Sequence, residues 1–284
     1  MRLLVTCLIS AFVGFAQSTP DVREIVLRSV SRDWRDLEAR RNYTFIRHTQ
    51  EKQYKGKTVT SDERKTFEVS ILYGQPYSRL IAKEGKPLTP DEERKQKEKM
   101  DHEMAKRARE SERGRAKREE EDRKDLEEER QVRREVADAF DFKLLRDEMV
   151  SGFPAWVIQA EPKPGYRPKS SRAKILPKVR GTLWITKADY RWVKVDAEVI
   201  DTFSYGLMLF KLYPGTRLMF EQVRVNDDVW LPRKAHIRGF ARVAMVKKYD
   251  LEIETHWENY RRFSADSRIV ATAEPETPNV KSAP

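Results

Sequence analysis

Four histidines are the first place to look for chemistry in this chain: His48, His102, His236 and His256. None has the spacing of a metal-ligand set. In Asp101-His102-Glu103-Met104-Ala105-Lys106 a lysine stands where a helical zinc site needs its second imidazole on the same face. No Gly-x-Ser-x-Gly elbow, P-loop or dinucleotide fingerprint is present, and only 11 glycines are available to build one. Acidic residues sit on polar strand phases beside Lys and Arg, the pattern of a charged outer sheet face. These features predict a binding protein and not an enzyme, with no cofactor and no metal.

One histidine pair depends on strand register. If the final strands, about Lys234–Val243 and Tyr249–Glu258, form a hairpin, charge matching sets Arg242 opposite Asp250, Arg238 opposite Glu254 and Lys234 opposite Glu258. That register also sets His236 opposite His256. Two imidazoles without a third ligand rarely hold zinc, so the expectation is two neighbouring surface histidines.

The N-terminus predicts the compartment. Arg2 precedes an apolar run from Leu3 to Phe15, and Gly14 and Ala16 place small residues at its end. The run is too short to span a bilayer, which takes about 20 apolar residues, and reads as a signal peptide over residues 1–16. Cys7, the one cysteine, leaves with it, so the mature chain has neither disulfide nor thiol chemistry. The expected location is periplasmic or secreted.

The net charge of +11 is unevenly placed. Between Asp91 and Ala137 acids and bases nearly cancel at −1, so the remainder carries +12. A basic body in an exported protein suggests an anionic membrane surface as partner, and excludes nucleic acid as the natural one.

The elements follow from periodicity. A helix is predicted from about Pro20 to Arg40, capped by Thr19, with Val22, Val26, Val30, Trp34 and Leu37 in one apolar stripe. Strands are expected near Tyr43–Lys52, Thr58–Tyr73 and Ser78–Ala82. Thr89-Pro90-Asp91-Glu92 is a capping box opening a charged helical insertion over residues 89–140, in two pieces or with a weak point near Gly114. Its natural reading is a solvated arm docked at both ends. Strands resume at Phe142–Val150 and Ala155–Glu161, and a meander runs from Gly181 to Tyr260. There Val193, Val195, Ala197 and Val199 alternate with Trp192, Lys194, Asp196 and Glu198, the pattern of a sheet with one dry face. Residues 264–284 are small, polar and proline-dotted, as in a disordered tail.

Several short stretches carry a resemblance: Asn42-Tyr43-Thr44-Phe45, Gly181-Thr182-Leu183-Trp184-Ile185, Val229-Trp230-Leu231-Pro232 and Glu258-Asn259-Tyr260-Arg261-Arg262-Phe263. With the leader and first helix, they make the chain similar to the bacterial outer-membrane lipoprotein-sorting protein superfamily. The resemblance implies one LolA-like domain over residues 19–263, of mostly β, α+β class: an open, curved antiparallel half-barrel wrapping helices. It implies a concave apolar cavity for a lipid or lipoprotein acyl chain. Trp34, Tyr43, Phe45, Val193, Val195, Val199, Leu218, Phe220, Leu251, Ile253 and Trp257 are the expected lining. The alternative is a regulatory or structural envelope protein whose charged arm meets an envelope protein partner and whose groove is filled by its own helices.

Overall fold

The alternating apolar and charged phases resolve into one open, curved antiparallel sheet. A computed structural model describes residues 21–205, 210–226, 229–243 and 249–263, with backbone alone at 33–38, 205, 210 and 243. The leader, the Thr19 cap, the Trp34 side chain and the tail after Phe263 lie outside the described residues.

Helix α1 spans Val22–Ala39 and passes through a 3-10 turn, Arg40–Asn42, into β1 (Tyr43–Lys55), β2 (Thr58–Leu72), β3 (Gln75–Lys83) and β4 (Lys86–Pro87). The insertion is two helices, α2 (Pro90–Ala108) and α3 (Glu112–Ala139). Then come β5 (Phe140–Val150), β6 (Phe153–Pro162), a 3-10 segment (Arg172–Lys178), β7 (Val179–Thr186) and β8 (Trp192–Val199). The chain ends in β9 (Phe203–Tyr205), β10 (Phe210–Leu212), β11 (Arg217–Val225), β12 (Val229–Val243) and β13 (Tyr249–Arg262).

The main path runs β4-β3-β2-β1-β13-β12-β11-β8-β7-β6-β5, with β9 and β10 attached through β12. The last strand therefore returns to pair with the first. The β5–β6 turn carries Ser151 and Gly152 at φ of 51° and 84°, the left-handed pair that a two-residue hairpin turn requires.

The core lies where helices meet β5–β8. Ile25 and Val26 of α1, with Val136, Ala137 and Ala139 of α3, pack on Trp156, Ile158, Leu183 and Ile185. The α1 stripe is thus centred on Ile25, Val26 and Ser29, all fully buried, with Val22 and Val30 at its margin. The expected capping box is present: the Thr89 hydroxyl accepts from Glu92 N, and Glu92 accepts from Thr89 N at 3.1 Å. The two helices break at Arg109–Ser111, where Ser111 caps α3 by accepting from Gly114 N at 3.1 Å. Gly114 itself is helical.

Two expectations are corrected. The first is the β12–β13 hairpin, which forms two residues out of the charge-matched register, with Lys234 opposite His256, His236 opposite Glu254 and Arg238 opposite Glu252. His236 and His256 are therefore not cross-strand partners. The bases reach diagonally instead: Lys234 lies 2.6 Å from Glu254, His236 Nε2 lies 2.8 Å from Glu252, and Arg238 pairs with Asp250. Long side chains span the diagonal as readily as the direct neighbour, so charge matching does not select between the registers.

The second is the face of Trp192. Lys194 pairs with Trp184 and Trp192 with Ile185, leaving Val193 as the extra residue of a bulge. A bulge inverts the alternation on one side of itself. Trp192 leaves the charged phase and joins the core, donating its indole N–H to Ser29 Oγ at 2.6 Å.

Candidate functional site: an apolar cleft under the insertion

The end of α3 and the 3-10 segment form one wall of a cleft of about 570 Å³ on the concave face. Val132, Arg133 and Val136 come from α3, and Ile175 and Leu176 from the 3-10 segment. The sheet supplies Trp192 and Val195 of β8, Phe220 and Gln222 of β11, and Trp230 and Pro232 of β12. Both indoles have their N–H groups engaged away from the cleft: Trp192 on Ser29, and Trp230 on Asp189 Oδ2 at 3.0 Å. An aromatic ring with its polar handle satisfied presents an apolar wall. Phe153 stacks edge-on against Trp230, with centroids 5.0 Å apart.

The α3 wall is held by a buried carboxylate. Glu135, 1% exposed, accepts from Tyr166 Oη, from Lys169 N at 2.9 Å and from Gln131 Nε2 at 3.2 Å. Burial first, and the Glu135 bond second, push the Tyr166 phenol well above its ordinary value. These bonds tie the connection after β6 to the helix and so position the 3-10 segment.

Charge at the cleft is cationic. Arg40, Arg133 and Arg172 line it with one acid, Glu129. Arg172 lies 2.7 Å from Asp125 and 2.9 Å from Glu128. Burial lowers the Arg133 guanidinium from its ordinary value.

The expected lining residues divide into groups. Val195 and Phe220 line the cleft. Val193, the bulge residue, is buried outside that lining. Val199 and Leu251 belong to a separate cluster, with Leu218 and Ile253 packed against it. Tyr43 is buried with Val229 and Leu231, and Phe45 lies against Tyr260 with centroids 5.3 Å apart. Trp257 lines a second hollow of about 360 Å³, shared with Arg47, Thr49, Glu51, Glu63, Lys65, Phe67 and Thr255. The ten of these residues that are described therefore spread over the sheet without converging on one pocket.

Sequence reasoning missed Trp230, Trp192, Arg133 and Arg47. Trp192 was hidden by the bulge. Trp230 sits in a stretch that carried the family resemblance, which was the available signal. The arginines follow no pattern that distinguishes them from the other basic residues.

Among the described residues, no group of three or more His, Cys, Asp or Glu side chains is arranged to hold a metal. Nor is any helix among them long and apolar enough to cross a membrane.

No family model matches the chain, and no curated protein matches it. Solved structures do. A domain described as outer membrane lipoprotein-sorting, from Vibrio parahaemolyticus, aligns at TM-score 0.34 and 11% identity, over 86% of this chain and 92% of its own. A DUF1329 family protein from Desulfovibrio piger aligns at TM-score 0.31 and 10% identity, over 86% and 93%. A LolA superfamily protein from Nitrosomonas europaea aligns at TM-score 0.29 and 8% identity, over 85% and 93%. At such scores nothing about ligand or partner carries over from them.

Proposed function

We propose that this is an exported envelope protein that shields a lipid or lipoprotein acyl chain in the cleft between α3 and strands β8, β11 and β12. The observation that carries this reading is a roughly 570 Å³ hollow walled by Trp192, Trp230, Phe220 and Val195, two of its walls being indoles with satisfied N–H groups. That volume lies within the usual range for small-molecule sites, about 300–1,000 Å³. Burying twelve methylenes at about 0.8 kcal/mol each amounts to a gross gain of about 10 kcal/mol. The basic body and the arginines at the cleft favour an anionic membrane surface as the place where cargo is exchanged.

The competing reading, a protein that fills its groove with its own helices and works through its charged arm, calls for a dry, occupied concave face. An open apolar cleft supports the carrier reading over it.

Native mass spectrometry of protein purified from a bacterial envelope tests the proposal. Adducts should be present and should yield fatty-acyl species on extraction. Val195→Trp, which fills the cleft, should remove them while leaving the circular dichroism spectrum in place. Wild-type protein that arrives lipid-free and takes up no long-chain amphiphile in vitro would end the proposal.

A further inference from the structure

The second hollow has an unusual group in it. Arg47 stacks its guanidinium over the Phe67 ring, 4.7 Å from the centroid, and Trp257 is its cross-strand partner on the other side. Its Nε is buried with no hydrogen-bond partner. A buried donor left unmade costs the desolvation of that group, so this guanidinium carries unmet hydrogen-bonding demand. Burial lowers the Arg47 guanidinium. The two acids of the hollow, Glu51 and Glu63, face each other further along β1 and β2, and Glu63 is taken up by Lys65 at 2.5 Å. The cations of the first cleft differ: Arg172 already has two carboxylates within 3 Å.

The two hollows are joined by one row of the sheet. Val195 is opposite Phe220, Phe220 opposite Ala235, Ala235 opposite Thr255, and Thr255 opposite Thr49. Val195 and Phe220 line the first cleft, while Thr255 and Thr49 line the second. Ala235 alone lies between. Every residue of the row is half-buried. From β8 to β1 the row crosses four inter-strand steps, about 19 Å at about 4.8 Å each. An extended chain advances about 1.2 Å per bond, so the row matches a chain of roughly 16 carbons.

We propose that the ligand is a single-chain amphiphile with an anionic head, lying across the strands with its tail against Phe220 and Trp230 and its head accepting from Arg47. This rests on the acyl-chain reading above and adds polarity and length to it. Arg47 supplies a charge-assisted donor held on the Phe67 ring, which suits a carboxylate or a phosphate monoester. Thr49 and Thr255 contribute hydroxyls beside it.

Three probes test this on delipidated protein: palmitate, hexadecyl phosphate and uncharged hexadecanol, each titrated by calorimetry. At least one anion should bind about 10-fold or more tighter than hexadecanol, the scale of one hydrogen bond to a charged group. In Arg47→Met, which keeps an apolar stem against Phe67, that advantage should vanish. Circular dichroism and the urea midpoint check that the variant folds. Orientation is read separately, from quenching of tryptophan fluorescence by 2-bromohexadecanoate, whose bromine sits beside the carboxylate. The quenching should be lost in Trp257→Phe and persist in Trp230→Phe. An anion advantage that survives Arg47→Met, or quenching lost in Trp230→Phe instead, overturns the head assignment while the carrier reading stands. If none of the three probes binds, the carrier reading itself fails.

Discussion

The sheet has two wings of different character. At the β5–β8 wing a strand is dry on both faces: Ala155, Trp156, Val157 and Ile158 of β6 are all buried, alternately against helices and against Trp184. At the β1–β2 wing, Tyr43 is the only fully buried residue of thirteen in β1, and β2 is buried only near its end. Both wings obey the same alternation, but α1 and the end of α3 cover only the first, while α2 reaches the other at β3 and the end of β2. Stability therefore concentrates where α1 and α3 dock, and the other wing keeps its concave face accessible. A protein that must admit an apolar guest benefits from that separation, since the guest then covers surface that the fold does not depend on.

The largest test of this contrast is a pair of truncations. Ile158→Ala, at a site with 0% exposure, should cost about 3–4 kcal/mol in urea unfolding through lost transfer energy and cavity formation. Thr49→Ala, half-buried on the open wing, should stay within about 0.5 kcal/mol. Equal losses would show that the two wings share the load.

Glu135 sharpens the account of the packed wing. Replacing it with Ala strands the Tyr166 hydroxyl and the Lys169 amide, each of which now donates to it. The expected cost is about 2–3 kcal/mol, the range for hydrogen bonds to a charged group. Tyr166 should also titrate at lower pH than in the wild type, because the Glu135 bond is one cause of its raised value. Spectrophotometric titration reads this directly. An unmoved Tyr166 would mean that burial alone sets it.

How far this could be read from sequence differs with the kind of signal. Strands were legible because a half-buried strand must alternate, and the Ser151-Gly152 turn because its residues adopt positive φ. The capping box at Thr89 was legible because both partners are local. The bulge at Val193 left no mark, since the sequence alternates through it while the backbone does not. The β12–β13 register was illegible for a related reason. Charges recur at every second residue, so two registers satisfy them equally, one directly and one along the diagonal. Of the expected lining, Val195 and Phe220 meet in the cleft because they are cross-strand partners. The opposite wall comes from Val132 and Val136, far away in the chain, and pattern reading has no access to that pairing.

Two depressed carboxylates, one on β13 and one at the start of α2, supply a pH test of smaller size. Glu254 is held down to about 2 by Lys234 and then by His256, and Glu92 to about 2 by Lys83 and the Thr89 cap. Both values lie below the ordinary 4.5 of a glutamate. The unfolded chain therefore takes up these protons first as pH falls. The stability these carboxylates contribute is complete above about pH 4.5 and declines between there and about pH 2. Urea midpoints across that window should fall with pH. Lys234→Ala should flatten the fall, because it removes the main cause of the depressed Glu254 value. An unchanged slope would assign the acid sensitivity to other carboxylates.

The smallest expected effect lies on the arm, and it separates the docked part from the solvated part. Arg107 of α2 is 16% exposed at its side chain, lies 2.8 Å from Glu103, and donates to the Leu72 carbonyl at 3.1 Å, which ties the arm to the open wing. Arg107→Ala should cost about 1 kcal/mol, as the loss of a mostly buried hydrogen bond. Arg94, one helix turn into α2, has a side chain 64% exposed, 2.8 Å from Asp91 and 3.9 Å from Glu98. Pairs of that kind contribute a few tenths of a kcal/mol, because water and salt already screen both charges and holding two long side chains costs entropy. Arg94→Ala should therefore lower the unfolding free energy from urea titration by no more than about 0.3 kcal/mol, and the loss should disappear in 1 M salt, where the Debye length is about 3 Å. A loss at Arg94 as large as at Arg107 would mean that the outer face of α2 is packed against something, and that the arm is not solvated along its length.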